Sequence, residues 1–449
     1  MAMLQGSSGA GAPQSTTENA PLLPHGAALP FVLVTALFFL WGIPNNVNDV
    51  LIRQFMKSFV ISRFEAGLIQ SAFYMGYFLL AIPAALVMRR FGYKSGFLIG
   101  LSLFSLGTFL FWPAAVVGRY SFFLVALFVI ASGLSFLETA ANPFIAQLGD
   151  PSTAARRLNL AQAFNPLGAV SGVLLGTLFI FSGVELQPGQ VADLKAHHTY
   201  AAYLQSETMR VVVPYMVLGA MAVAILAVIA ITKFPSSLTK TEGNSDGSGG
   251  GSIRALLQYP HFFLAVIAQF LYVGAQVGTW SYFIPYVQAY AHQPEKTAGY
   301  LLTGSLVAFG AGRFSSAWLM RYVAPGRLMG IYSIVNTALV FVGVIFTGWI
   351  GLWALLVTSF FMSLMFPTIF VLGLRGLGEN TKIGGSMIVM AIIGGAALTP
   401  IMGFISVRTG SVALAYIVPL LAYIYIAIYS FADTRVSPSP HLKTSASAA

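Results

Sequence analysis

The sequence predicts an all-α membrane protein, with twelve transmembrane helices arranged as two pseudo-symmetric six-helix halves. Three observations carry that reading. Of 449 residues only 8% are charged and 57% are hydrophobic, whereas an ordinary soluble domain carries about 25% charged residues; the mean hydropathy is +0.80. Apolar runs recur from Phe31 to Phe431, each long enough to cross a bilayer, which takes roughly 20 residues. A polar Gly/Ser-rich stretch, "SSLTKTEGNSDGSGGGS" (Ser236 to Ser252), divides those runs six and six, and its composition cannot pack a core.

The twelve spans are expected at 30–56, 64–88, 94–114, 121–148, 154–183, 211–234, 259–290, 297–321, 327–348, 350–375, 382–407 and 411–432. This organisation gives a disordered N-terminal tail (1–29), a first bundle (30–234), a linker (235–258), a second bundle (259–433) and a C-terminal tail (434–449). The first tail has Glu18 as its only charged residue and lacks the basic region of a cleaved signal peptide.

Lys and Arg collect in cytoplasmic loops. With the N-terminus inside, fourteen of the 23 fall on the inner side, among them Arg89, Arg90, Arg156, Arg157, Lys233, Arg321, Arg375 and Lys382. Eight fall outside, and Arg313 stands alone within a span. The net charge of +10 is therefore a topology signal. No basic patch with interleaved aromatics points to nucleic acid. The absence of cysteine excludes disulfides and thiolate chemistry, and no metal site is expected.

The halves resemble each other. At an offset of 232 Gly42 falls on Gly274, Gly67 on Gly299 and Met88-Arg89 on Met320-Arg321; at 224, Pro143 meets Pro367. Constant offsets at corresponding span positions favour duplication.

Thirteen acidic residues occur, and only Asp49 and Glu138 fall well inside the expected spans. An ionised carboxylate at a helix centre costs about 2.5–3.5 kcal/mol on the mildest scale, so such residues usually face a cavity and act there. In "LSFLETAANPFIAQLG" (Leu134 to Gly149), Asn142 follows Glu138 by one turn on the same face and Pro143 then loosens the helix. In "NNVND" (Asn45 to Asp49), Asn45 shares the face of Asp49, while Arg53 four residues on offers a plainer ion-pair role. From the helical rise, Asp49 lies roughly 9 Å below the outer end of its helix and Glu138 roughly 25 Å down its own, so the two do not share one proton.

Two further stretches carry polar stripes. "RLNLAQAFNPLGAVSG" (Arg157 to Gly172) spaces Asn159, Gln162 and Asn165 three apart, and amides, uncharged and both donating and accepting, suit sugar hydroxyls. "AQFLYVGAQVGTWSYF" (Ala268 to Phe283) sets Gln269, Tyr272, Gln276 and Trp280 on one face, pairing amides with rings that can cover the apolar face of a pyranose. Interhelical packing is the plainer use of the same residues. Arg313, in "GAGRFSSAW", fits either a substrate or broken backbone within the bundle. All six histidines lie in tails, loops or span ends, which leaves the carboxylates as proton carriers.

Two six-helix halves around a linker form the architecture of the major facilitator transporters, whose site lies near the midplane between halves that rock. "ALVMRRFGYKSG" (Ala85 to Gly96) looks like a worn copy of that superfamily's signature loop, with Arg89 where an acid is usual. The segments "NNVNDVLI", "GLIQSAFYMGYF", "LFWPAA", "LETAANPF", "RLNLAQAFN", "AQFLYVGAQ", "FPTIFVLGL" and "IVMAIIGG", between Trp41 and Phe404, resemble the fucose:proton symporter family, nearest its L-fucose permeases.

The resemblance implies a bacterial inner-membrane importer of L-fucose or a related sugar. It further implies proton coupling through Asp49 and Glu138, sugar contacts at Gln162 and Asn165, and a cavity lined also by Trp41 and Asn46. Asn45, Asn142, Tyr272, Gln276 and Trp280 complete the expected sugar site. The sister branch imports glucose or galactose and often carries a glutamine in place of the glutamate of "LETAANPF", so Glu138 points to the fucose side. Met365 and Phe366, where a more polar pair is usual, point the other way.

Protons are the expected coupling ion, with no cofactor, and a monomer in the bilayer is the expected assembly. An efflux antiporter would favour aromatic pockets with few amides. A membrane enzyme acting on glycosyl or acyl groups would show metal-ligand or His/Asp clusters near the interface. The pair His197-His198, in the outer segment 184–210, lacks the carboxylate spacing for that and reads as solvated loop.

Overall fold

A spanning segment must satisfy its own backbone N–H and C=O groups, and apolar runs of this length do so as helices. The computed structural model describes residues 21–24, 26–61, 63–180, 188–234 and 253–433, and no strand occurs among them. Twelve spanning helices follow in chain order. The first half holds α1 (Ala28–Ser58), α2 (Arg63–Phe91), α3 (Tyr93–Val117), α4 (Tyr120–Gln147), α5 (154–180) and α6 (Val212–Ile231). The second holds α7 (260–291), α8 (Glu295–Leu319), α9 (Pro325–Ile345), α10 (Trp349–Leu374), α11 (381–409) and α12 (Val412–Ala432).

Among the described residues ten of these are long and apolar enough by themselves to cross a membrane. The other two are α5 and α8, which carry Asn159, Gln162, Asn165 and Arg313. Their polarity is the mark of the helices that build the interior.

Several helices are broken, and prolines account for two of the breaks. Between Gln162 and Asn165 α5 is interrupted just ahead of Pro166, and α10 is interrupted between Met362 and Met365 just ahead of Pro367. Proline has no N–H to return to the carbonyl four residues earlier. The carbonyls of Gln162 and Ser363 are thereby freed.

The expected tails and linker lie largely outside the described residues. At the N-terminal edge, however, residues 21–24 and 26–29 of the tail are described: Leu22 O accepts from the buried Arg157, which also bonds the carbonyls of Ile145, Ala146 and Asp150 and the hydroxyl of Thr153. The solvated loop expected at 184–210 is corrected too. It contains two short helices, Pro188–Ala196 and Tyr200–Met209, and the second buries Glu207, which binds Lys57 Nζ at 3.0 Å and Gln54 Nε2 at 3.1 Å. Among the described residues Glu207 is therefore a buried acid besides Glu138, with partners at the end of α1.

The end of the bundle that carries residues 234 and 253 is here termed the linker face. Packing between the halves joins α2, α4 and α5 to α8, α10 and α11, while α1 and α7 pack within their own halves. At the linker face Lys382 lies over the Tyr93 ring, and deeper in, Asn159 Nδ2 reaches Thr368 Oγ1 at 3.4 Å.

Candidate functional site

The middle of α4 is buried without interruption from Ile130 to Ile145. Glu138 sits in that stretch at 8% exposure, and its Oε2 has no hydrogen-bond partner within the protein. Tyr77 of α2 adjoins both Glu138 and Asn45 of α1. Tyr77 Oη and Asn45 Oδ1 are likewise buried without a partner. Three helices thus bring a carboxyl, a phenol and an amide to one place, where each retains unspent hydrogen-bonding capacity. One turn beyond Glu138, Asn142 adds a fourth such atom, Nδ2.

From Asn142 a chain of hydrogen bonds crosses to the other half. Gln162 Nε2 donates to Asn142 Oδ1 at 2.9 Å. Arg313 Nη1 donates to Gln162 Oε1 at 2.9 Å and to its backbone carbonyl at 2.8 Å, while Arg313 Nε donates to Ser363 O at 3.0 Å. The two carbonyls are the ones that Pro166 and Pro367 leave free. Of the two roles open to Arg313 from sequence, these bonds are to broken backbone, one on each half. Phe309 lies against the guanidinium, its ring centroid at 4.7 Å.

On the second half, Tyr272 of α7 adjoins Arg313, and its ring meets Phe366 of α10 edge-on at 6.4 Å. Tyr272 Oη and both amide atoms of Gln269, a residue with no exposure, are buried and unpartnered. Gln276 is half-buried on the same helix. Trp280 is half-buried too, with Nε1 donating to Ser359 Oγ at 3.1 Å and its ring edge-on to Phe309 at 5.1 Å.

Two expected sugar contacts also bond or pack locally. Trp41 is 2% exposed, within the apolar core, its ring 4.4 Å from that of Phe38. Asn165 donates to Phe38 O at 3.1 Å, tying α5 to α1. Asn46 and Asp49 lie on α1, and their side chains fall outside the described residues, as does that of Arg53. Tyr77 was not singled out by sequence: its segment "FYMGYF" has no polar pattern, and only the fold places it against Glu138. Arg313 gave a signal as the lone spanning cation, yet its acceptors lie on other helices.

Residues 30–382 match the family profile of the Major Facilitator Superfamily. The chain belongs to the Major Facilitator Superfamily. Within the superfamily, the L-fucose-proton symporter of Escherichia coli is 44% identical over 408 residues, which cover 90% of this chain and 92% of that protein. A glucose/galactose transporter of Brucella abortus is 36% identical over 426 residues, 93% of this chain and 97% of the relative. A superfamily transporter crystallised in its outward conformation superposes with a TM-score of 0.83 at 43% identity, covering 91% of this chain and 99% of its own. The resemblance to the fucose:proton symporter family thus extends over nearly the whole chain.

Proposed function

We propose that this superfamily member is a proton-coupled symporter that imports L-fucose or a related hexose by alternating access. It acts as a multi-pass monomer of the bacterial inner membrane, with both termini in the cytoplasm, and it needs no cofactor beyond the coupled protons. It is not an enzyme. The observation that carries the reading is the set of buried, unpartnered polar atoms Asn45 Oδ1, Tyr77 Oη, Glu138 Oε2 and Asn142 Nδ2. Each such atom left alone costs about 1–3 kcal/mol, and a polyhydroxylated ring supplies donors and acceptors to all of them.

In this reading the linker face is cytoplasmic, and its inter-half packing corresponds to a state closed inward and open outward. A proton on Glu138 removes its charge before the halves close over it. The sugar then binds against Glu138, Asn142 and Gln162, with Asn45 and Asn46 as further contacts and Asp49 as the outer proton site. Tyr272, Gln276 and Trp280 cover the ring from the second half. Rocking about this site breaks the linker-face contacts, and the lower proton concentration inside favours release.

A second reading, a glucose or galactose importer, is favoured by one observation: Met365 is fully buried and Phe366 lies against Tyr272, an apolar corner on α10. Proteoliposomes given L-fucose, D-galactose or D-glucose under an imposed pH gradient separate the readings. Accumulation of L-fucose above the others supports the first, and preference for either hexose supports the second. Turnover of an activated glycosyl or acyl donor, without accumulation, would replace both with an enzyme.

A further inference from the structure

We propose that Arg313 is a positioning residue that sets the hydrogen-bonding polarity of the Gln162–Asn142 amide pair, so that Asn142 meets the sugar as a donor beside the acceptor Glu138. The inference rests on the sugar reading above and assigns a role within that site.

A guanidinium carries no hydrogen-bond acceptor. It donates only, so the Gln162 atom that it touches at 2.9 Å must be the amide oxygen. Gln162 Nε2 is then the remaining end, and it faces Asn142 at 2.9 Å. The Asn142 atom facing it must accept, which makes it Oδ1. Asn142 Nδ2 is left over, buried and unpartnered, one turn from the equally unpartnered Glu138 Oε2. A single donor-only cation thus fixes the orientation of two amides in sequence. A ligand hydroxyl placed between Asn142 and Glu138 accepts from the first and donates to the second.

The guanidinium is itself held in place. Its Nε bonds Ser363 O at 3.0 Å and its Nη1 bonds Gln162 O at 2.8 Å, and both carbonyls lack their helical donor because residues 367 and 166 are prolines. One anchor lies on each half. Arg313 is 5% exposed and packs on Phe309. Without the arginine, Gln162 is free to turn over, and Asn142 must then donate to it and present its oxygen to the cavity. The hydroxyl would then have to give its hydrogen to Asn142 and could no longer donate to Glu138, since one hydroxyl hydrogen cannot serve both. Lysine keeps the charge but lacks the planar fork that engages acceptors in fixed directions.

The test is a double-mutant cycle on purified protein, with Arg313→Lys, Gln162→Ala and the pair, reading equilibrium binding of radiolabelled L-fucose, with D-galactose and D-glucose alongside. Arg313→Lys is expected to weaken binding at least tenfold, Gln162→Ala by a similar factor, and the pair by no more than the stronger single change. Wild-type binding by Arg313→Lys would show that charge alone suffices, and multiplicative losses would show that Arg313 does not act through Gln162; either overturns the proposal. The same cycle read by thermal unfolding without ligand is expected to be non-additive, and additivity there removes the contact on which the proposal depends. That arm stands even if the wild type binds none of the three sugars, a result that would count against the sugar reading instead. Should Arg313→Lys fail to fold, Pro166→Ala restores an N–H to compete for Gln162 O: a several-fold loss of affinity without a lower unfolding temperature supports the proposal, and unchanged affinity overturns it.

Discussion

Arg313 on α8 donates from one nitrogen to both the backbone carbonyl and the side-chain oxygen of Gln162 on α5, at 2.8 and 2.9 Å. The bond joins the two halves of the molecule, and it joins them at the residue whose other end orients Asn142. The place where the halves meet and the place where a sugar would bind are therefore linked through one side chain. A chain that rocks its halves must remake this contact in every cycle.

Glu138→Gln removes the titrating group and keeps the shape. It is expected to abolish accumulation of sugar against a gradient while counterflow and binding persist, since the amide mimics only the protonated acid. Transport assays in energised vesicles read both quantities, and continued accumulation would exclude Glu138 from coupling.

For Asp49→Asn the expected result is also loss of accumulation, with binding retained. The rival use of Asp49, an ion pair with Arg53, predicts instead that proton uptake with sugar is normal and that stability falls. Sugar-induced pH changes recorded beside thermal unfolding distinguish the two.

Gly168→Leu addresses how α1 and α5 are brought together. A side chain at Gly168 would collide with the carbonyl of Phe39, one at Gly172 with that of Ile43, and one at Gly42 with that of Asn165. Small residues spaced four apart let helix backbones touch in this way. Overpacking of such a contact costs typically about 1–3 kcal/mol, so a clear fall in unfolding temperature in detergent is expected, and an unchanged temperature would contradict the close approach.

Lys57→Met strips Glu207 of its ion partner at 3.0 Å. Because Glu207 is buried and Lys57 only partly so, the expected destabilisation is about 1–3 kcal/mol, below that of a fully buried pair. Adding Glu207→Leu should recover much of the loss. Calorimetry on the single and double variants checks this, and transport stoichiometry should stay unchanged in Lys57→Met.

Much of this was legible in the sequence because the bilayer imposes a simple rule. Apolar length located the helices, least strongly at the polar α5 and α8, and the cost of burying charge singled out Glu138. The polar stripe at Asn159, Gln162 and Asn165 was legible as a stripe, but its members diverge in the structure: Asn159 reaches Thr368, Gln162 joins the crossing chain, and Asn165 ties α5 to α1. Such assignments depend on partners from other helices, which spacing cannot reveal. Trp41 illustrates the same limit, since its ring packs on Phe38 in the core. Glu207 read as a loop acid because the short helix that buries it is not apolar along its length. Pro166 and Pro367 were visible in the sequence as helix breakers. That one arginine would take both of the carbonyls they release required the fold.

The most direct test of the central claim is the pH outside proteoliposomes containing the wild-type protein, recorded on addition of L-fucose with no other driving force. Sugar-dependent alkalinisation outside is expected, and its absence in Glu138→Gln. L-Fucose uptake without any accompanying proton movement would contradict it.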